Sequence, residues 1–404
     1  MYNVTMKKLL TGSVWVLMGQ LATSVSAFLV MIVFANTLPK EVFGEYRFII
    51  SVVAVLAIFT LPGMDTALVQ STAKKYDGQL DFITKTKIRY GLIGSLGSLL
   101  ISGYYFLNGN SSLSLAFGLI ALLMPLYGTY FCYYFYLQGK QRFDQASIIQ
   151  ALSRIFFVAV MITSVFLFES APFLALVFVI ATIISQIAGY LWTRNTQKEK
   201  IIDLEIISYG KHITLLGFMP IFAINFDKIF VWNQLGATEV AIYSIAMLLP
   251  QETARVGRIV GQVMLPEIAQ KKESSINPIY IFKKLFLLEL ILICLWIGYY
   301  FTEPLLFSTF FPDYLDAGKL SVLGMLALLF APIYIIRSFF IAHKLKKQLN
   351  CIFIFVPLFQ SVLLLCLVPL FGITGAVYSF LGALLFEMIL GSTLLYKHYR
   401  FKAL

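Results

Sequence analysis

Long apolar runs alternate with short polar breaks along the whole chain, and the runs exceed what the core of a soluble domain uses. Twelve of them, roughly 17 to 26 residues each, bracket the ~20 that a helix needs to cross the hydrocarbon of a bilayer. The pattern places them at Gly12–Asn36, Arg47–Gln70, Arg89–Leu107, Leu113–Leu137, Ser147–Phe168, Phe173–Trp192, Ser208–Asn233, Ala241–Met264, Leu285–Phe301, Leu320–Ala342, Cys351–Phe371 and Gly375–Tyr396. An all-α integral membrane protein of about twelve transmembrane helices is expected. The first run is too long for a signal-peptide core and no small-residue cleavage site follows it, so it is read as helix one.

The basic residues sort the polar breaks into two kinds. On the side of the N-terminal tail, alternate gaps hold 23 of the 31 Lys and Arg, among them Lys85, Lys87, Arg89, Arg194, Lys211 and Lys344, whereas the opposite gaps hold only Lys40, Arg47 and Lys319. By the positive-inside rule the N-terminal side is cytoplasmic, with both termini there. The formal charge of +11 then reflects topology and contact with anionic lipid rather than a nucleic-acid partner. Composition agrees: 59% of the residues are hydrophobic, 13% are charged, and the mean hydropathy is +0.85.

Cys132, Cys294, Cys351 and Cys366 lie inside apolar runs without a CxxC pair, which supports neither a disulfide framework nor a zinc site. The three histidines, His212, His343 and His398, sit at the cytoplasmic ends of spans, so neither a metal centre nor a catalytic histidine is expected. No G-x-x-x-x-G-K-[ST] loop is present, so any work must draw on ion gradients or on the substrate itself. The longest extracytoplasmic gap, Thr302 to Lys319, is too short for an external catalytic domain.

The most hydrophilic break near the middle, 194–200, divides six spans from six, which predicts lobes at 1–200 and 201–404. Even-numbered halves enter the membrane in the same orientation, the layout of parallel repeats. Asn36, Leu38 and Tyr46 recur as Asn233, Leu235 and Tyr243 at the equivalent turn of the second half, and Ala73 and Lys75 recur as Ala269 and Lys271.

Four segments carry a family resemblance: Leu38-Pro39-Lys40-Glu41-Val42-Phe43-Gly44-Glu45-Tyr46; Tyr136-Leu137-Gln138-Gly139-Lys140-Gln141-Arg142-Phe143; Asp227-Lys228 with Gly236 and Tyr243; and Met264-Leu265-Pro266-Glu267-Ile268-Ala269. In content and order these resemble the polysaccharide-transporter branch of the multidrug/oligosaccharidyl-lipid/polysaccharide exporter superfamily, specifically its Wzx-type O-antigen flippases. The resemblance covers essentially the whole chain. It implies two six-helix lobes around a central cavity and movement of an undecaprenyl-pyrophosphate-linked oligosaccharide from the cytoplasmic to the periplasmic leaflet, without enzymatic chemistry. It also implies work alongside the glycan polymerase and chain-length machinery in a bacterial inner membrane. A cation-coupled drug exporter of the same superfamily and a membrane-embedded glycan polymerase or glycosyltransferase are the rival readings.

The chemistry of such a substrate asks for cations inside the membrane near the cytoplasmic entrance, because its pyrophosphate must leave water. Arg154, Arg255, Arg258 and Arg337 lie in the cytoplasmic halves of their spans and Lys228 in a periplasmic half, which nominates them to bind substrate. Snorkelling to headgroups is the competing role, for Arg258 and Arg337 above all. No cofactor is expected. For coupling to a proton or sodium gradient the candidates are Asp227, Asp65 and Glu252, the last also three residues from Arg255 and so placed to neutralise it.

Adjacent residues on a helix point about 100° apart, so Asp227 and Lys228 are expected to need separate partners or a helix break. Pro62-Gly63 predicts a kink that exposes Asp65 to the cavity. Glu289 and Glu387 have no partner evident in the pattern. Tyr127, Tyr130 and Tyr134 fall at helical spacing, a face suited either to sugar stacking or to an interfacial belt. Ser13, Gln20, Ser24 and Ala27 form a small polar stripe on the first helix that suits a cavity wall or close helix packing.

Overall fold

The computed structural model describes residues 2–76, 78–195, 201–253, 257 and 278–402. Arg255 and Arg258 lie outside the described residues, as does the whole of the fourth family segment. Among the described residues there are no strands. The helices are α1 (Tyr2–Thr37), α2 (Lys40–Leu56), α3 (Gly63–Ala73), α4 (Gln79–Leu107), α5 (Ser111–Leu123), α6 (Cys132–Gly139), α7 (Phe143–Leu167), α8 (Ala171–Arg194) and α9 (Ile206–Leu235). They continue with α10 (Ala237–Ala246), α11 (Pro278–Phe310), α12 (Leu315–Gly324), α13 (Ile333–Ala342), α14 (Lys346–Phe371) and α15 (Ile373–Lys402). Among the described residues ten stretches are long and apolar enough to cross a membrane, and α5 and α10 are shorter apolar helices that complete the expected twelve.

Four expected spans are not single α-helices. The second breaks where α2 runs into a 3-10 turn at Ala57–Thr60, Leu61 turns left-handed at φ 57°, and Pro62-Gly63 opens α3. The fourth breaks over 124–131, where Pro125 lacks a backbone donor and Gly128 takes φ 70°. The eighth pauses at Met247 after α10, and the tenth carries a 3-10 stretch, Met325–Phe330, followed by Pro332 between α12 and α13. The second and fourth spans of each half are therefore the broken ones, which continues at the level of elements the duplication hinted at by Tyr46 and Tyr243. Freed backbone groups in such breaks must be met by neighbouring protein. The turn of α3 illustrates it: Gly63 donates its backbone N–H to Thr214 Oγ1 on α9 at 3.0 Å.

The chain packs as two compact units, Met1–Ile221 and Phe222–Leu404. The first extends past the hydrophilic break because the start of α9 is bound to it. A Cβ on Gly63 would overlap the Thr214 amide and the Gly210 carbonyl, and one on Gly210 would overlap Met64, so the two backbones cross with no room for side chains. Gln79 Nε2 donates to the Asp203 carbonyl at 2.8 Å, which ties the stretch before α9 to the start of α4. Pro220 lies within α9 beside the unit boundary. The core of the first unit gathers Met64, Leu68, Leu80, Ile83, Tyr133, Tyr136 and Leu137 from α3, α4 and α6. That of the second joins Val231, Val240, Tyr243, Met247, Leu364 and Val377.

Along α1, Gly19 admits α7 closely: a Cβ there would lie 2.7 Å from Gln150 Oε1 and 3.3 Å from Ser147 Oγ. Gln150 Nε2 also donates to Thr23 Oγ1 at 3.3 Å. The stripe on the first helix thus borders a close-packed seam, the arrangement that small residues permit in lipid.

Candidate functional site

Asp65 sits in the first turn of α3, two residues after the break. Its carboxylate is buried against a basic side chain rather than exposed by the kink. It accepts a hydrogen bond of 2.7 Å from Lys87 Nζ on α4, and the two side chains are 12% and 1% exposed. Lys87 was expected in a solvated gap. It is buried because α4 begins at Gln79 and carries Lys87 two turns into the helix, against the fourth-span break. There its ammonium also reaches the Gly128 carbonyl at 3.4 Å, and Thr84 Oγ1 lies 3.2 Å from Cys132 Sγ. A polar knot therefore joins α3, α4 and both breaks of the first unit.

Asp227 and Lys228 pair with each other, contrary to the 100° argument. Asp227 Oδ1 accepts from the Lys228 backbone N–H at 2.7 Å and from Lys228 Nζ at 3.2 Å, while Oδ2 accepts from the Tyr243 hydroxyl at 2.8 Å. A short carboxylate can turn back to the backbone, and four methylenes let the lysine fold round the helix. The angle between Cβ directions does not limit such a pair. All three residues are buried. Tyr243 thus has a task that its counterpart Tyr46 lacks, since Tyr46 packs on Phe34 and Phe43.

Arg337, on α13, pairs through Nε with Glu387 Oε1 on α15, so the carboxylate with no partner evident in the sequence has one. The guanidinium also stands over the rings of Tyr334 and Phe353, 5.4 and 5.9 Å from their centroids. Glu387 is almost fully enclosed.

Arg154, half-buried on α7, stands 5.8 Å over the Phe157 ring. Phe157 meets Phe178 edge-on, Phe178 touches Tyr127 and Tyr46, and Arg154 acts electrostatically on Tyr127. Two residues nominated separately, Arg154 and Tyr127, are thereby brought into one aromatic cluster. The tyrosine face is not formed. Tyr127 and Tyr130 lie in the 124–131 turns, where helical spacing does not apply, and Tyr134 lies in α6. The three go to different neighbours: Tyr127 to Phe178, Tyr130 to Tyr190, and Tyr134 to Phe131 in a stack 5.2 Å apart. Glu252 is half-buried, and its sequence partner Arg255 is not among the described residues.

Sequence reasoning missed Asp81 altogether. It accepts from the Tyr190 hydroxyl at 2.7 Å and from Arg194 Nε at 3.0 Å, closing the start of α4 onto the end of α8. Asp in a first turn and Arg in a last turn were the available signal.

Described intramembrane charge therefore comes mostly as acid–base pairs, Asp65–Lys87 in the first unit and Asp227–Lys228 and Glu387–Arg337 in the second. Residues 9–271 match the family described as Polysaccharide biosynthesis protein. The chain belongs to that family. A Shigella flexneri protein named "Putative O-antigen transporter" is 23% identical over 285 residues, spanning 66% of this chain and 68% of its own. The fold is shared with the lipid II flippase MurJ in an inward closed conformation, at TM-score 0.70 and 14% identity, over 94% of this chain and 87% of that one. It is shared equally with the MATE multidrug transporter DinF-BH, at TM-score 0.70 and 13% identity, over 97% and 95%. These findings bear out the resemblance drawn from the motifs: the chain is a multi-pass membrane protein of a polysaccharide family, helical without strands among the described residues, with a fold shared by MurJ and MATE transporters.

Proposed function

We propose that this protein is a flippase that carries an undecaprenyl-pyrophosphate-linked oligosaccharide from the cytoplasmic to the periplasmic leaflet of a bacterial inner membrane by alternating access around a central cavity. Both termini are cytoplasmic in this reading, and the glycan polymerase and chain-length machinery take up the product. The observation that carries it is Arg154 set among Tyr127, Phe157 and Phe178 within a span. A guanidinium binds phosphate oxygens, and aromatic faces stack on sugar rings. Membership of a polysaccharide family and a fold shared with a flippase of lipid II support it. No bond is made or broken, so the protein acts as a carrier rather than an enzyme.

A cationic drug would call for acidic groups free to meet it, whereas Asp65, Asp227 and Glu387 are each held by a basic side chain. A polymerase would use an external loop, whereas the Thr302–Lys319 gap is occupied by the end of α11, a four-residue turn at 311–314 and the start of α12. If a proton or sodium gradient drives the cycle, Asp227 is the coupling acid, because releasing it would free Lys228 and Tyr243 together. Asp65 and Glu252 are the second choices.

In a deletion strain, lipid-linked repeat units should accumulate on the cytoplasmic leaflet, and the wild-type gene should restore export. Accumulation on the periplasmic leaflet would point to a polymerase. A variant carrying Arg154→Ala and Arg255→Ala at wild-type protein level should lose most export, and wild-type export from it would sink the anion-binding role. Asp227→Asn should abolish gradient-driven movement while substrate binding persists. Unchanged transport in both Asp227→Asn and Asp65→Asn would leave Glu252 or passive flipping.

A further inference from the structure

We propose that Arg337, Glu387, Tyr334 and Phe353 form a preset phosphate-binding site in the second unit, with Glu387 as its positioning residue. An arginine offers five N–H donors in a planar fork, and a carboxylate that serves only as a structural partner commonly takes two of them in parallel. Glu387 takes one, at Nε. Among the described residues no other hydrogen bond to Arg337 is formed, and its terminal nitrogens carry four further N–H donors. The Tyr334 and Phe353 rings fix the plane of the guanidinium while Glu387 fixes its rotation in that plane.

Exposure divides the pair in the same sense: the Arg337 side chain keeps 23% of its surface and the Glu387 side chain 2%. An accessible guanidinium edge inside a span is costly in hydrocarbon, and two phosphate oxygens satisfy it in the bidentate manner that suits the fork. Tyr334 and Arg337 are three apart on α13 and so share a face, from which Arg337 reaches Phe353 on α14 and Glu387 on α15.

Counting along each helix from its basic end, Arg337 is six residues from His343, Phe353 seven from Lys346 and Glu387 eleven from His398. This puts the site about 9–16 Å inside that end. The phosphate belongs either to the lipid-linked substrate, an assignment that rests on the proposed function, or to a bilayer lipid headgroup.

The test is titration of inorganic pyrophosphate into the purified protein in nanodiscs of zwitterionic lipid, with thermal melting of every variant in parallel. Arg337→Lys keeps the charge and loses the fork, and should weaken binding about tenfold. Glu387→Gln keeps an acceptor for Nε and removes the competing charge, so binding should tighten several-fold. Glu387→Ala frees the guanidinium to turn and should weaken binding. A merely structural carboxylate would move Gln and Ala in the same direction, in step with their melting temperatures.

Wild-type affinity in Arg337→Lys, or a common direction for the two Glu387 variants, overturns the site. Competition by added phosphatidylglycerol that vanishes in Arg337→Lys assigns the site to a headgroup, and pyrophosphate binding indifferent to that lipid assigns it to the substrate. Full glycan export from an Arg337→Lys variant that has lost pyrophosphate binding would leave the site standing while removing it from the proposed transport cycle.

Discussion

The Asp65–Lys87 pair should behave as a clasp whose two halves are worth little apart. Asp65→Ala leaves an ammonium that is 1% exposed with, among the described residues, only the Gly128 carbonyl at 3.4 Å to solvate it. Removing one member of a buried ion pair costs about 3–5 kcal/mol, because the remaining charge keeps its desolvation penalty without its partner. Lys87→Met strands the Asp65 carboxylate in the same way. Replacing both, as Asp65→Asn with Lys87→Met, removes both penalties and should fall within about 1–2 kcal/mol of wild type.

For a unit of this size 1 kcal/mol corresponds to about 2–4 °C, so either charge-stranding variant should melt roughly 6–20 °C lower and the double variant within about 8 °C of the parent. Recovery of monodisperse protein after heating, followed by size exclusion in one detergent, gives the midpoints. A double variant no more stable than the worse of the two would show that the charges do not compensate each other, and the clasp reading would fail. A double variant that recovers its midpoint but not glycan export would instead give Asp65 a second task in transport.

Gly63→Ala should destabilise by about 1–3 kcal/mol, since backbone rather than a movable side chain occupies the site of its Cβ. Gly103→Ala, with nothing within 4 Å, should be neutral or gain about 0.5–1 kcal/mol, and equal melting shifts for the two would refute the backbone crossing. Tyr243→Phe strips a donor from the buried Asp227 carboxylate and should cost about 1–3 kcal/mol by the same heating assay, whereas Tyr46→Phe, lacking such an acceptor, should cost less. For orientation, a cysteine at Asp313 in a cysteine-free background should react with an impermeant thiol reagent in intact spheroplasts and one at Asp144 should not; the reverse would invert the topology and the direction of transport.

The sequence alone determined that this is a membrane protein of about twelve spans, since hydrocarbon thickness and the cost of unpaired backbone leave apolar helices little alternative. It also marked the break at Pro62-Gly63, because proline and glycine act on the chain locally. Which charges are masked was decided only by tertiary structure. Lys87 reads as one more basic residue beside a gap, and Glu387 stands 50 residues from its arginine. A residue's burial depends on where neighbouring helices cross it. The tyrosine face failed for a related reason: spacing implies a common face only while the helix continues, and Pro125 with Gly128 ends it. Asp227 and Lys228 mark the remaining limit, for periodicity gives the direction of a Cβ but not the reach of the flexible side chain beyond it.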